Sequence, residues 1–92
     1  MPYGLFYYKK QKIQPYGIMG DCMKIIDSKT LGQAIRARRK ELKYTQAYMS
    51  ENTGLSVTFI SDLERGKPTA ELEKTLKLIN MLGLDLFVEK RG

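Results

Sequence analysis

Near the middle of the chain, Val57, Thr58, Ser61, Asp62 and Arg65 fall on one side of a short helical pattern, and all are small or polar. A face of hydroxyls, one carboxylate, one guanidinium and small methyl groups is equipped for recognition by hydrogen bond and close contact. It has little reason to be buried, and a helix carrying it can enter a groove. On the opposite side Ile60 and Leu63, continuing from Leu55, make a narrow apolar stripe that would hold the helix to a core.

The surrounding stretch, YTQAYMSENTGLSVTFISDLERG from Tyr44 to Gly66, supplies the elements that position this face. Thr45 precedes QAYMSENT and Ser56 precedes VTFISDLER, and each hydroxyl can accept from an orphan N–H at the start of its helix. Gly54 lies between them, where the first helix must end in a left-handed residue so that the chain can turn sharply. Two short helices joined by a tight turn are expected, with Leu55 plugging the corner.

Composition narrows the function. Ninety-two residues make one small domain, to which dimerisation would add stability. There is no histidine to work as a base near neutral pH, one cysteine (Cys22), and no G-x-x-x-x-G-K-S/T loop to cradle phosphates. An enzyme, a metal centre or a cofactor is therefore not expected. No apolar run approaches the ~20 residues of a membrane span, and the N-terminus does not read as a secretory signal. Sixteen Lys and Arg against ten Asp and Glu give a formal charge of +6, which draws a protein to a polyanion such as nucleic acid.

Residues 1–22 hold two of the three prolines and four of the six tyrosines without sustained periodicity, and read as a flexible N-terminal arm. Three readings of the arm stay open: a tail, a start codon placed too early, with Met19 or Met23 as alternative starts, or an arm that reaches into a minor groove or docks on a partner. LFYY could form one short strand in it, with KKQK a basic spot beside it.

Residues 23–92 form the domain. After the extended run KIID, Thr30 to Gln33 fits a capping box heading a helix that runs to about Lys43. Leu31, Ala34, Ile35 and Leu42 should face the core, and Arg36, Arg38, Arg39, Lys40 and Lys43 the outside. Lys67-Pro68-Thr69 breaks the chain, Thr69 can cap the next helix, and Glu71 and Glu73 suit its positive end. Leu72, Leu76, Ile79 and Leu82 form its expected buried stripe, which Gly83 ends. Leu84 to Glu89 alternates as a strand with Leu84, Leu86 and Val88 on one face. Such a strand needs a partner: LFYY, KIID, or the same strand of a second copy. The two-fold pairing is favoured because it closes a dimer, through Leu84, Leu86, Phe87 and Val88.

LGQAIRARRKEL, then TQ, GLS and ISDLERGKPT resemble the Cro/C1-type (XRE) helix-turn-helix family over residues 30–83. The lead-in MKIIDSKTLG and the C-terminal strand make the chain most similar to HipB-type antitoxins. The resemblance implies an all-α, lambda-repressor-like bundle of about four helices with a short C-terminal β-strand. It also implies an ion pair between Arg39 and Glu64, and Gln46 on a phosphate at the head of the second helix. Base-reading positions fall on Ser56, Val57, Thr58, Ser61 and Asp62; Gln46, Arg38, Ser56, Arg65 and Lys67 would hold phosphates. Because these base-facing side chains are short, readout should be permissive and lean on DNA shape.

The function expected from the resemblance is a sequence-specific repressor. It would be the antitoxin of a HipA-like toxin system, bacterial, cytoplasmic and nucleoid-associated, whose partners are double-stranded operator DNA, a second copy and a HipA-like toxin kinase. The alternatives are a protein-interaction module that neutralises a partner, with DNA binding secondary, or a general XRE regulator without a toxin.

Overall fold

The computed structural model describes residues 22–92, in which four helices follow one another: α1 Ser28–Glu41, α2 Gln46–Thr53, α3 Val57–Glu64 and α4 Leu72–Met81. The expectations for LFYY, KKQK and the rest of the N-terminal arm before Cys22 lie outside the described residues. No helix among the described residues is long and apolar enough to cross a membrane.

Helix α1 begins earlier than the T-x-x-Q pattern at Thr30 suggests. Its N-cap is Asp27, whose carboxylate accepts from the Thr30 backbone N–H at 2.8 Å, while the Thr30 hydroxyl oxygen accepts from the Asp27 N–H at 3.1 Å. This is a reciprocal capping box with the acid at the cap and threonine three residues on. The same hydroxyl oxygen accepts the Ile26 N–H at 3.0 Å, so two amides of KIID are spent on the cap.

Helices α2 and α3 follow their local signals. Thr45 accepts from the Tyr48 N–H and Ser56 from the Phe59 N–H, each at 3.0 Å. Gly54 ends α2 in the left-handed region, at φ 79°, with open space where a Cβ would stand. The turn is held by side chains as well: Ser50 Oγ donates to the Leu55 carbonyl at 2.6 Å, and buried Thr53 donates to the Met49 carbonyl and accepts from the Leu55 N–H.

The core is Ile35 from α1, Met49 from α2, Leu55 from the turn, Ile60 and Leu63 from α3, and Leu78, Ile79 and Leu82 from α4 and its end. Burial of apolar side chains of this size stabilises by about 1.5–3 kcal/mol each. Leu31 and Leu42, expected inside, are half-buried at its margin, and Ala34 is half-buried as well. Gly32 permits the close packing of α1 on α3: a Cβ there would stand 2.4 Å from the Leu63 carbonyl oxygen and 2.7 Å from that of Glu64.

Two expectations for the C-terminal part are corrected. In α4 the buried row is Thr75, Leu78, Ile79 and Leu82, whereas Leu72 is 71% exposed and Leu76 only half-buried. Two rows of that helix have i, i+3, i+4 spacing, and the one facing α2 includes a threonine whose hydroxyl is satisfied by the Glu71 carbonyl at 2.7 Å. The N-cap is Glu71 without a side-chain cap bond, so Thr69 does not cap. The second correction is the C-terminal strand: residues 84–88 form no strand among the described residues. Two of the KIID amides, those of Ile26 and Asp27, serve the Thr30 cap. Leu84 packs against the core, while Leu86, Phe87 and Val88 are exposed.

Candidate nucleic-acid interface

Helix α3 is clamped from behind by a buried polar network. Arg39 Nε donates to Glu64 Oε2 at 2.7 Å and its Nη2 donates to Oε1 at 3.0 Å, a two-point ion pair between α1 and the end of α3. Arg39 Nη1 also donates to the Tyr44 carbonyl at 2.8 Å, and Gln46 Nε2 donates to Glu64 Oε1 at 3.1 Å. One carboxylate thus gathers α1, the head of α2 and α3. Arg39 and Glu64 are 8% and 6% exposed, and no buried side-chain polar atom among the described residues lacks a partner. Donating to the Glu64 carboxylate raises the Arg39 pKa above its ordinary value, outweighing the opposing effect of burial. Bidentate geometry is what arginine supplies and lysine does not.

With its inner side fixed, α3 turns outward Ser56 at the cap, Val57, Thr58 and, along the flank, half-buried Ser61 and Asp62. Val57 is 43% exposed, high for an apolar residue in a helix otherwise stapled to a core. At the far end the polar groups are joined: Arg65 Nη1 donates to Ser61 Oγ and its Nη2 to Asp62 Oδ1, both at 2.6 Å, and Lys67 Nζ lies 3.5 Å from Asp62 Oδ2. One carboxylate is therefore covered by two cations, leaving this end of the face positive.

The five positions expected to read bases thus share one outward surface, and Lys67 and Arg65 flank it. Gln46 stands at the head of α2 with its amide turned to Glu64. Arg38, expected on a phosphate, lies elsewhere: its Nε donates to the Leu82 carbonyl at 2.9 Å and its Nη1 to Glu41 at 3.2 Å. It caps the C-terminal end of α4, where exposed carbonyls attract a cation. Arg36, Lys40 and Lys43 are exposed on and just after α1.

Sequence reasoning missed three features near this surface. The rings of Tyr44 and Tyr48 lie with centroids 4.6 Å apart at the start of α2. Their i, i+4 spacing was the available signal. The Ser61–Asp62–Arg65 cluster has the same kind of signal, acceptors three and four residues before an arginine. The contact at Gly32 had none, because it depends on how two helices meet.

The helix-turn-helix family profile matches residues 35–88. This chain belongs to the helix-turn-helix family. Within the family it is of the XRE type of DNA-binding transcriptional regulators. It is 38% identical over 62 residues to a Sinorhizobium fredii protein described as an uncharacterized HTH-type transcriptional regulator, y4mF, covering 67% of this chain and 82% of that one. To an immunity repressor protein of Bacillus phage phi105 it is 35% identical over 57 residues, covering 62% of this chain and 40% of the repressor. A solved HipB-O4 20mer complex contains a chain that superposes with a TM-score of 0.71 at 21% identity, covering 77% of this chain and all of that one. At that identity the likeness speaks for the helix-turn-helix fold.

Proposed function

We propose that this helix-turn-helix protein is a dimeric, operator-binding repressor that acts as the antitoxin of a HipA-like toxin kinase. The observation that carries the DNA part is the outward face of α3, exposed from Ser56 to Thr58 and held rigid by the Arg39–Glu64–Gln46 network. Each subunit lays this face in a major groove, and two subunits reach half-sites about one helical turn, ~34 Å, apart. Ser56, Val57, Thr58, Ser61 and Asp62 face base edges. Val57 and the Thr58 methyl pack on thymine methyls, and the hydroxyls bond several bases. Lys67, Ser56 and the head of α2 at Gln46 meet phosphates.

Dimerisation uses Leu84, Leu86, Phe87 and Val88. Leu86, Phe87 and Val88 are exposed apolar surface, which a second copy covers about a two-fold axis. The antitoxin role rests on the HipB-like sequence lead-in, and the HipB fold likeness agrees with it. The likeness to a phage immunity repressor favours a second reading, a regulator without a toxin.

Co-expression with the neighbouring genes and purification through this chain separates the two. An antitoxin brings down a kinase in fixed ratio, and a stand-alone repressor purifies alone while still shifting its own promoter DNA.

A further inference from the structure

Arg65 is the C-cap residue of α3, and a side chain that left the helix end freely would reach past it toward flanking phosphates. It does the opposite. Its guanidinium folds back one turn toward the helix N-terminus and lies over Ser61 and Asp62, with both Nη atoms bonded at 2.6 Å. The side chain nevertheless stays 70% exposed, while that of Asp62 is 25% exposed. Each Nη spends one hydrogen on this contact, which leaves the Nε–H and the second Nη2 hydrogen side by side as donors to offer.

A carboxylate on a helix that approaches a polyanion is repelled by it, and it also weakens the pull of a neighbouring arginine on phosphate. For a phosphate contact Asp62 is therefore a handicap. For a base contact it is useful, because a planar guanidinium fixed in one orientation before binding has already lost its rotamer freedom. Two held donors match the O6 and N7 acceptors that guanine shows in the major groove. Lys67, 3.5 Å from the second Asp62 oxygen, offsets the remaining charge of the acid.

We propose that Ser61 and Asp62 are positioning residues that make Arg65 a guanine reader in the major groove rather than a phosphate contact. The assignment rests on the DNA-binding reading above and adds to the permissive contacts of Val57 and Thr58 one discriminating contact per half-site.

The test is selection from a library of randomised duplexes by wild type, Asp62→Asn and Arg65→Ala, followed by titration of each protein with the wild-type winner and with its single-pair variants. The wild type is expected to select a fixed guanine in each half-site and to lose roughly tenfold or more in affinity when that G·C pair becomes A·T. Arg65→Ala loses that discrimination. Asp62→Asn also loses it, although it removes a negative charge and so binds random DNA at least as tightly. The cluster is on the surface, so both variants should melt close to wild type. Uniform weakening of all duplexes by Arg65→Ala, with the salt slope reduced by about one, overturns the assignment in favour of a phosphate contact. Unchanged guanine preference in Asp62→Asn overturns the positioning role. If the wild type selects no sequence at all, the DNA-binding reading fails, and this one with it.

Discussion

Arg39 and Glu64, separated by 25 residues in sequence, meet through two hydrogen bonds of 2.7 and 3.0 Å in a nearly closed environment. Removing one partner leaves the other buried and uncompensated, which costs far more than the pair gains over an apolar replacement. Arg39→Ala should therefore lose about 3–5 kcal/mol in urea unfolding, while Arg39→Met combined with Glu64→Leu should recover most of it. The double variant would lack the tether to Gln46.

Gly32, at the α1–α3 contact, and Gly54, in the turn after α2, should respond in different ways. Gly32→Ala drives a methyl into the Leu63 and Glu64 carbonyls, which cannot yield without moving α1 from α3. A loss of roughly 1–3 kcal/mol is expected from such overpacking. Gly54→Ala meets no atom and is penalised only for its left-handed φ, roughly 1–2 kcal/mol. The Gly32 variant should also weaken DNA binding, because α1 and the Arg39 clamp move with it. Chemical denaturation and duplex titration of the same two proteins check this.

Much of this was legible in sequence because it is local. Gly54, Thr45 and Ser56 declare a turn and two caps within a few residues, and Ile60 and Leu63 declare the inner side of α3. What was not legible depends on competition between equivalent local solutions or on distant parts of the chain. Asp27 and Thr30 can each begin α1, and the reciprocal bonds between them decide for Asp27. Two rows of α4 can be buried, and the approach of α2 decides for the row through Thr75. Arg38 belongs to a basic run by sequence, and only the arrival of the Leu82 carbonyl, 44 residues away, turns it from an outward charge into a cap. The residues after Leu84 carry an alternating pattern that reads as a strand, and the described residues do not form one there.

Acid should expose the cap of α1. The Asp27 carboxyl is held below its ordinary pKa, first by the backbone N–H of Thr30 and then by its hydroxyl. A carboxyl with a depressed folded-state pKa contributes stability above its unfolded-state value, and that contribution disappears as pH falls through the folded-state value. Asp27→Asn keeps an acceptor for Thr30 but does not titrate. The difference in melting temperature between wild type and Asp27→Asn should accordingly shrink as pH drops below about 4 and stay flat near neutrality. A difference that is constant across this range would mean that the Asp27 charge does not stabilise the helix start.

Leu86→Lys places a charge in the apolar segment assigned to the two-fold contact. Light scattering should find the wild type at twice the mass of one chain and the variant at one. Equal masses would mean that the dimer, if it forms, uses another surface.

The central claim, that the outward face of α3 reads DNA, is tested most directly by titrating the wild-type protein and Thr58→Ala with its own upstream promoter duplex and a scrambled duplex over a range of salt. The expected result is tighter binding to the promoter, an affinity that falls steeply as salt rises, and a Thr58→Ala protein that keeps the salt slope while its preference between the duplexes narrows. Equal affinity for both duplexes, or a preference untouched by Thr58→Ala, would contradict it.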